Sequence, residues 1–97
     1  MNIVWSDQAR RDLEAIRDFI ARDSEFYAQQ QITRIVERVE YISAMPTMGH
    51  RVHEHPSLAM REMHEGHYRI IYTFDDEDLQ VVTIVHMKQM LKRQRLG

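Results

Sequence analysis

Apolar side chains recur at helical spacing along the first half of the chain and at strand spacing along the second. The opening Ile3-Val4-Trp5 is a short, partly β-branched apolar run that predicts a strand over 1–5. Ser6 stands where a helix N-cap belongs, with Asp7 in the first turn beside the positive end of the helix dipole. Ala9, Leu13, Ile16 and Ile20 follow at steps of four, three and four, one apolar face of a helix running to about Arg22. Arg10, Arg11, Glu14, Arg17 and Asp18 fill the other face. Asp23 and Ser24 break the pattern and offer a second cap. Ala28, Ile32, Ile35, Val39 and Ile42 then step by four, three, four and three. Pro46 and Gly49 end this helix near Ala44. An antiparallel hairpin of two amphipathic helices is expected over 7–44.

The period then changes. After a polar loop from Thr47 to Ser57, Met60-Arg61-Glu62-Met63-His64 reads as a strand and Glu65-Gly66 as a hairpin turn. Tyr68, Ile70, Tyr72 and Phe74 alternate with Arg69, Ile71 and Thr73, a strand apolar on both faces. Asp75-Asp76-Glu77-Asp78 is a charged turn, and Leu79 to Val85 is too β-branched for a helix. The expectation is an α+β fold of one domain over 1–97. It comprises an N-terminal strand, the helical hairpin, a three-strand antiparallel meander over 58–86, and a basic tail over 87–97 that a helix would suit. The helices cover one sheet face, and the other face is the natural place for a site or a partner.

Composition narrows the function. With 97 residues, 43% hydrophobic and 29% charged, the chain has the balance of an ordinary soluble domain. No apolar run reaches the ~18–20 residues of a membrane span and no signal-peptide pattern opens the chain, so a cytoplasmic protein is expected. The absence of cysteine excludes disulfides, thiolate metal sites and cysteine catalysis. The net charge of −2 hides an asymmetry. Residues 1–85 hold nine arginines against fifteen acids, whereas 86–97 hold Lys88, Lys92, Arg93 and Arg95 and no acid. A dispersed nucleic-acid-binding surface is not supported, but a basic tail is.

Candidate chemistry is sparse. Six histidines invite a metal, but His53-Glu54-His55 lies in a proline-flanked loop at the wrong spacing for an HExxH site, and no metal site is expected. The three glycines form no phosphate-binding loop, and Ser6, Ser24, Ser43 and Ser57 sit in no nucleophile elbow. A metal-free ribonuclease needs only a base, an acid and cations for the phosphorane charge. Arg61 and Arg69 would be the cations, His86 the acid, and Glu54 or Glu62 the base. Each has a plainer role open to it: surface ion pairs for the arginines, a half-buried hydrogen-bonded ring for His86, a surface strand charge for Glu62. Tyr68 and Tyr72 could stack on bases, but their period beside Ile70 and Phe74 is that of core residues lying against the helices.

The ordered set of residues resembles a known family. Val4-Trp5-Ser6-Asp7-x-Ala9-x-x-Asp12-Leu13-x-x-Ile16-x-x-Phe19-Ile20 is similar to the opening of RelE/ParE superfamily toxins. Met45-Pro46-x-Met48-Gly49-His50 resembles the family's proline–glycine break. Arg61-Glu62-Met63, Tyr68-Arg69-Ile70-Ile71-Tyr72 and the strand ending Val85-His86 follow in order across nearly the whole chain.

This resemblance implies the toxin of a bacterial type II toxin–antitoxin pair, held inactive by a cognate antitoxin and needing no cofactor. RelE-like members cleave messenger RNA on the ribosome with a cluster of Lys, Arg and a C-terminal Tyr or His-Tyr. ParE-like members lack that cluster and poison DNA gyrase. This chain keeps Arg69, carries Met60 and Glu62 where RelE-type lysines are expected, and has no tyrosine beyond Tyr72. A net charge of −2 also ill suits a ribosome-directed nuclease. The resemblance is therefore to the ParE-like branch, acting by protein–protein binding rather than catalysis. Met87, Lys88 and Gln89 stand where many ParE-like sequences have a small residue and paired arginines. The expected target-facing residues are Arg61, Arg69, His86, Lys88, Lys92, Arg93 and Arg95. The expected antitoxin-facing region includes Trp5, Leu13, Phe19 and Ile20. No membrane partner and no sequence-specific nucleic-acid contact is expected. The alternatives are a RelE-like ribosome-dependent endoribonuclease, whose candidates would be Arg69, His86, Arg61 and Glu54, and a non-toxic relic that only binds the antitoxin.

Overall fold

Two serines start the two helices. In the computed structural model, which describes residues 1–96, β1 (Asn2–Trp5) leads through Ser6 into α1 (Asp7–Ala21), and Ser24 opens α2 (Glu25–Ala44). The Ser6 hydroxyl accepts the Ala9 N–H at 3.0 Å and the Ser24 hydroxyl accepts the Tyr27 N–H at 3.2 Å, each satisfying one of the donors a helix start leaves open. A 3-10 turn (Pro46–Met48), β2 (His50–Arg51), β3 (Arg61–Glu65), β4 (Tyr68–Phe74), β5 (Asp78–His86) and a last 3-10 turn (Arg93–Leu96) follow. Gly97, the end of the expected basic tail, lies outside the described residues.

The strands form one mixed sheet in the order β1-β5-β4-β3-β2. β1 runs parallel to β5, with Trp5 beside Val81, and the other pairs are antiparallel. The hairpin between β3 and β4 turns on Gly66-His67, one residue later than the sequence suggests. Gly66 has φ 60° at the first central position, where a type II′ turn needs a residue without a Cβ. In the acidic turn, Asp75 Oδ1 accepts the N–H groups of Glu77 and Asp78, which closes the β4–β5 hairpin and holds the Asp75 carboxyl below its ordinary pKa. Two further details depart from expectation. His50 and Arg51, read as loop, add a short edge strand to β3. The tail closes in a 3-10 turn rather than a helix.

The helices bury Ala9, Ile35, Val39 and Ile42 against Ile70, Tyr72, Leu79, Val81 and Ile84, with Ile3, Trp5, Leu13 and Tyr68 at the margin. Tyr72 is a core residue, as its period predicts. Its hydroxyl accepts the Gly49 N–H at 3.0 Å and donates to the Pro46 carbonyl at 2.7 Å, tying the proline–glycine break to the sheet. The second sheet face is not open, contrary to expectation. Val52 from the loop and Leu91 from the tail join Ile71, Val82 and Val85 in a second apolar cluster, flanked by Met60 and Leu96. A strand apolar on both faces needs cover on both, and here the tail supplies it.

Candidate functional site

Arg69 lies on β4 beside Ile71, on the face that the tail covers, and is 4% exposed. Its guanidinium makes a bidentate pair with Glu54, Nη2 to Oε1 at 2.7 Å and Nη1 to Oε2 at 2.8 Å. Nε and Nη2 also donate to Glu62 Oε2. One cation therefore holds two buried carboxylates. Glu62 Oε1 in turn contacts His64 Nε2 at 3.0 Å. The Arg69 hydrogen bond outweighs burial and holds the Glu54 carboxyl at about 2, against an ordinary 4.5. At Glu62 burial pushes upward, but the hydrogen bonds from Arg69 and His64 prevail, and its pKa is also lowered. Hydrogen bonds to Glu54 and Glu62 raise that of Arg69.

The same cluster reaches the tail. Glu54 Oε2 accepts the Leu91 N–H at 2.9 Å, His55 Nε2 meets the Leu91 carbonyl at 2.8 Å, and Arg69 Nη1 lies 3.4 Å from the Gln89 carbonyl. Arg95 Nη1 pairs with Asp12 Oδ1 at 2.8 Å.

The sequence-derived candidates thus fall into separate places. Arg69 and Glu54 meet, but inside the protein, and Glu62 is buried with them rather than standing as a surface strand charge. Among the described residues Arg61 pairs with no acid; it donates to the carbonyls of Gly49 at 2.8 Å and Thr47 at 3.3 Å. His86 is half-buried at the end of β5, stacked on His67 at 6.0 Å between ring centroids and met edge-on by Tyr68. His86 Nδ1 accepts the Lys88 N–H at 3.1 Å, which places the ring proton on Nε2 when the imidazole is neutral. Among the described residues, no hydrogen bond joins Arg61, Arg69 and His86 into one constellation. In the tail, Lys88, Lys92 and Arg93 are exposed and, among the described residues, form no ion pair, whereas Arg95 is turned inward. Among the described residues no cluster of three His, Asp or Glu side chains is arranged to hold a metal.

Of the residues expected to face a partner, Trp5 and Leu13 lean on the core, Ile20 is half-buried, and Phe19 is 62% exposed. The sequence reading missed Phe26 and Tyr27, which are 65% and 63% exposed at the start of α2 and meet edge to face. Both fall off the Ala28–Ile42 stripe, and that was the available signal. Arg22 sits over the Phe19 ring at 5.9 Å. Beside Phe19, a groove of about 370 Å³ runs past Ile16, Tyr68, Ile84 and His86.

Comparison with known proteins places this architecture. No curated protein matches the sequence. Among solved structures, the chain is similar to one of the chromosomal ParDE toxin–antitoxin system of P. aeruginosa, with TM-score 0.70 and 19% identity over 89% of this chain and 95% of that one. It is also similar to one of the RelBE2 toxin–antitoxin complex of Mycobacterium tuberculosis, with TM-score 0.64 and 21% identity over 88% and 95%. At these identities the likeness is one of fold. The family model described as the ParE toxin of the type II toxin–antitoxin system parDE matches residues 3–91, from the second residue of β1 through both helices and the rest of the sheet to Leu91. The chain therefore belongs to the ParE toxin family of type II toxin–antitoxin systems.

Proposed function

We propose that this toxin arrests growth by binding DNA gyrase through its basic tail, and that a cognate antitoxin neutralises it. The observation that carries the choice of a binding mechanism over a nuclease is the burial of Arg69. A guanidinium held by Glu54 and Glu62 has no free donor edge to offer a phosphorane, and two carboxylates beside it would repel a phosphate. Arg61 and His86 are not gathered around it: Arg61 Nη1 donates to the Gly49 carbonyl, and His86 Nδ1 accepts the Lys88 N–H. The exposed cations Lys88, Lys92 and Arg93, on a tail that carries no acid, suit an acidic protein surface.

The antitoxin contact follows from the apolar side chains left outside the core. Phe19, Phe26 and Tyr27 around the α1–α2 turn, with the groove beside Phe19, form the surface that a folding-on-binding segment would cover. The second sheet face, already filled by Leu91, is not part of this proposal.

Pulse-labelling after induced expression tests the target. DNA synthesis is expected to fall before protein synthesis, and purified protein to inhibit gyrase supercoiling. Replacing Lys88, Lys92 and Arg93 together by Ala should weaken that inhibition about tenfold or more without changing the fold, because these side chains are exposed and, among the described residues, form no ion pair. Earlier loss of protein synthesis, with ribosome-dependent messenger cleavage, would overturn the gyrase reading in favour of the nuclease.

A further inference from the structure

We propose that Glu54, held in place by Arg69, is a positioning residue. It fixes residues 87–96 on the second sheet face, so that Lys88, Lys92 and Arg93 are presented as a preorganised cationic arm. This rests on the reading above that the arm meets the target.

Between His86 and Arg93 the chain is neither helix nor strand, and its own backbone supplies little guidance. Its N–H groups reach the His67 carbonyl from Met87 and the His86 carbonyl from Gln89, both near the start of the segment. Leu91, 2% exposed in the second apolar cluster, fixes the depth of the segment. An apolar contact is non-directional, however, and leaves the rotation of the segment open. Directional bonds settle it. The Leu91 N–H and carbonyl are taken by two adjacent loop residues, Glu54 and His55, and the Gln89 carbonyl lies on Arg69.

Glu54 is the hinge of this arrangement. Its Oε2 receives both the Arg69 guanidinium and the Leu91 N–H, so the ion pair orients the carboxylate that the tail reads. A buried ion pair adds little net stability over a well-packed apolar replacement, and the role assigned to this one is to fix the arrangement of the arm. With the arm's backbone fixed, its lysines and arginine bind without first losing the freedom of a loose segment.

The test is residue-resolved amide exchange on the full chain, with the wild type compared with Glu54→Gln, Glu54→Ala and His55→Ala, and α2 and β5 amides as internal references. The Leu91 amide is expected to exchange about tenfold faster in Glu54→Ala. Glu54→Gln keeps an acceptor oxygen for Leu91 and should give a smaller acceleration. His55→Ala leaves the ion pair intact and should loosen the segment without touching the references. Gyrase inhibition should weaken in the same order as the Leu91 acceleration. An unchanged Leu91 amide, or one that speeds up only in step with α2 and β5, would overturn the proposal. So would a loosened arm that inhibits supercoiling as well as the wild type. If the wild type itself does not inhibit gyrase, the target reading fails, and the exchange ranking then decides the clamp by itself.

Discussion

Asp12 is the side chain on which the most partners converge. β1 stops at Trp5, opposite Val81, while β5 runs on to His86, so the outer edge of β5 loses its strand neighbour halfway along. Ser6 and Asp12 replace it. The Ser6 hydroxyl donates to the Val82 carbonyl at 2.6 Å, and Asp12 Oδ2 accepts the Ile84 N–H at 2.9 Å together with the Thr83 hydroxyl. Oδ1 takes Gln8 and Arg95. Removing this carboxylate orphans the buried Thr83 hydroxyl and Ile84 N–H and unpairs Arg95, so Asp12→Ala is expected to lower unfolding free energy in urea by about 3 kcal/mol. Asp12→Asn, which keeps acceptors, should cost about half that. The position was legible, since Asp12 lies three residues after Ala9 and four before Ile16, an acid on the apolar stripe of α1; its partners 71 and 72 residues away were not. Gly49 is a second such position. A Cβ there would clash with Tyr72 Oη and sit 2.7 Å from the Glu62 carbonyl oxygen. Gly49→Ala should therefore destabilise by roughly 1–3 kcal/mol through overpacking, measured in the same way.

Among the elements, the two helix starts look alike in sequence and differ in the fold. The Ser24 hydroxyl caps α2 at an exposed turn and, among the described residues, bonds nothing beyond its own helix. Ser6 caps α1 and also bonds the β5 backbone, so it joins a helix to the sheet. Ser24→Ala should cost about 0.5–1 kcal/mol, the usual range for an exposed cap. Ser6→Ala should cost about 2 kcal/mol, because a buried carbonyl loses its donor as well. Thermal melts of the two variants would order them, and equal losses would show that the Val82 contact contributes nothing. The hydrophobic period placed both caps within a residue. It could not distinguish them, because the Val82 partner is supplied by a strand near the far end of the chain.

At the level of the whole molecule, the Arg69 cluster couples the loop, β3, β4 and the tail, and it does so with charge. Glu54 has its pKa depressed on folding, so its contribution to stability is complete above its ordinary value of 4.5 and is lost as pH falls toward about 2. Glu62 shifts in the same direction and adds to the loss. Unfolding free energy should therefore decline through that window, and Glu54→Gln should flatten the decline. An undiminished slope in the variant would place the acid sensitivity elsewhere. Arg69→Ala leaves two buried carboxylates unpaired and should cost about 3–5 kcal/mol. Loss of toxicity in that variant would thus report unfolding rather than a lost target contact, which is why the exposed tail cations are the better probes.

The sequence by itself determined what local periodicity and short-range chemistry can encode. That covers the strand over the opening residues, both capped helices, the meander, Tyr72 as core, and the ordered residues that resemble the RelE/ParE superfamily. These depend on neighbours within a few residues. Tertiary structure alone decided which side chains are available. Arg69, Glu54 and Glu62 read as candidate surface chemistry because each is charged, yet the fold brings them together across 15 and seven residues and buries them as one cluster. The tail read as a free basic appendage because its cations are visible in sequence. Leu91 amid those cations gave little sign that it would close the second sheet face. A charge pattern fixes how many cations a segment carries, but which of them face solvent depends on contacts between residues far apart in the chain.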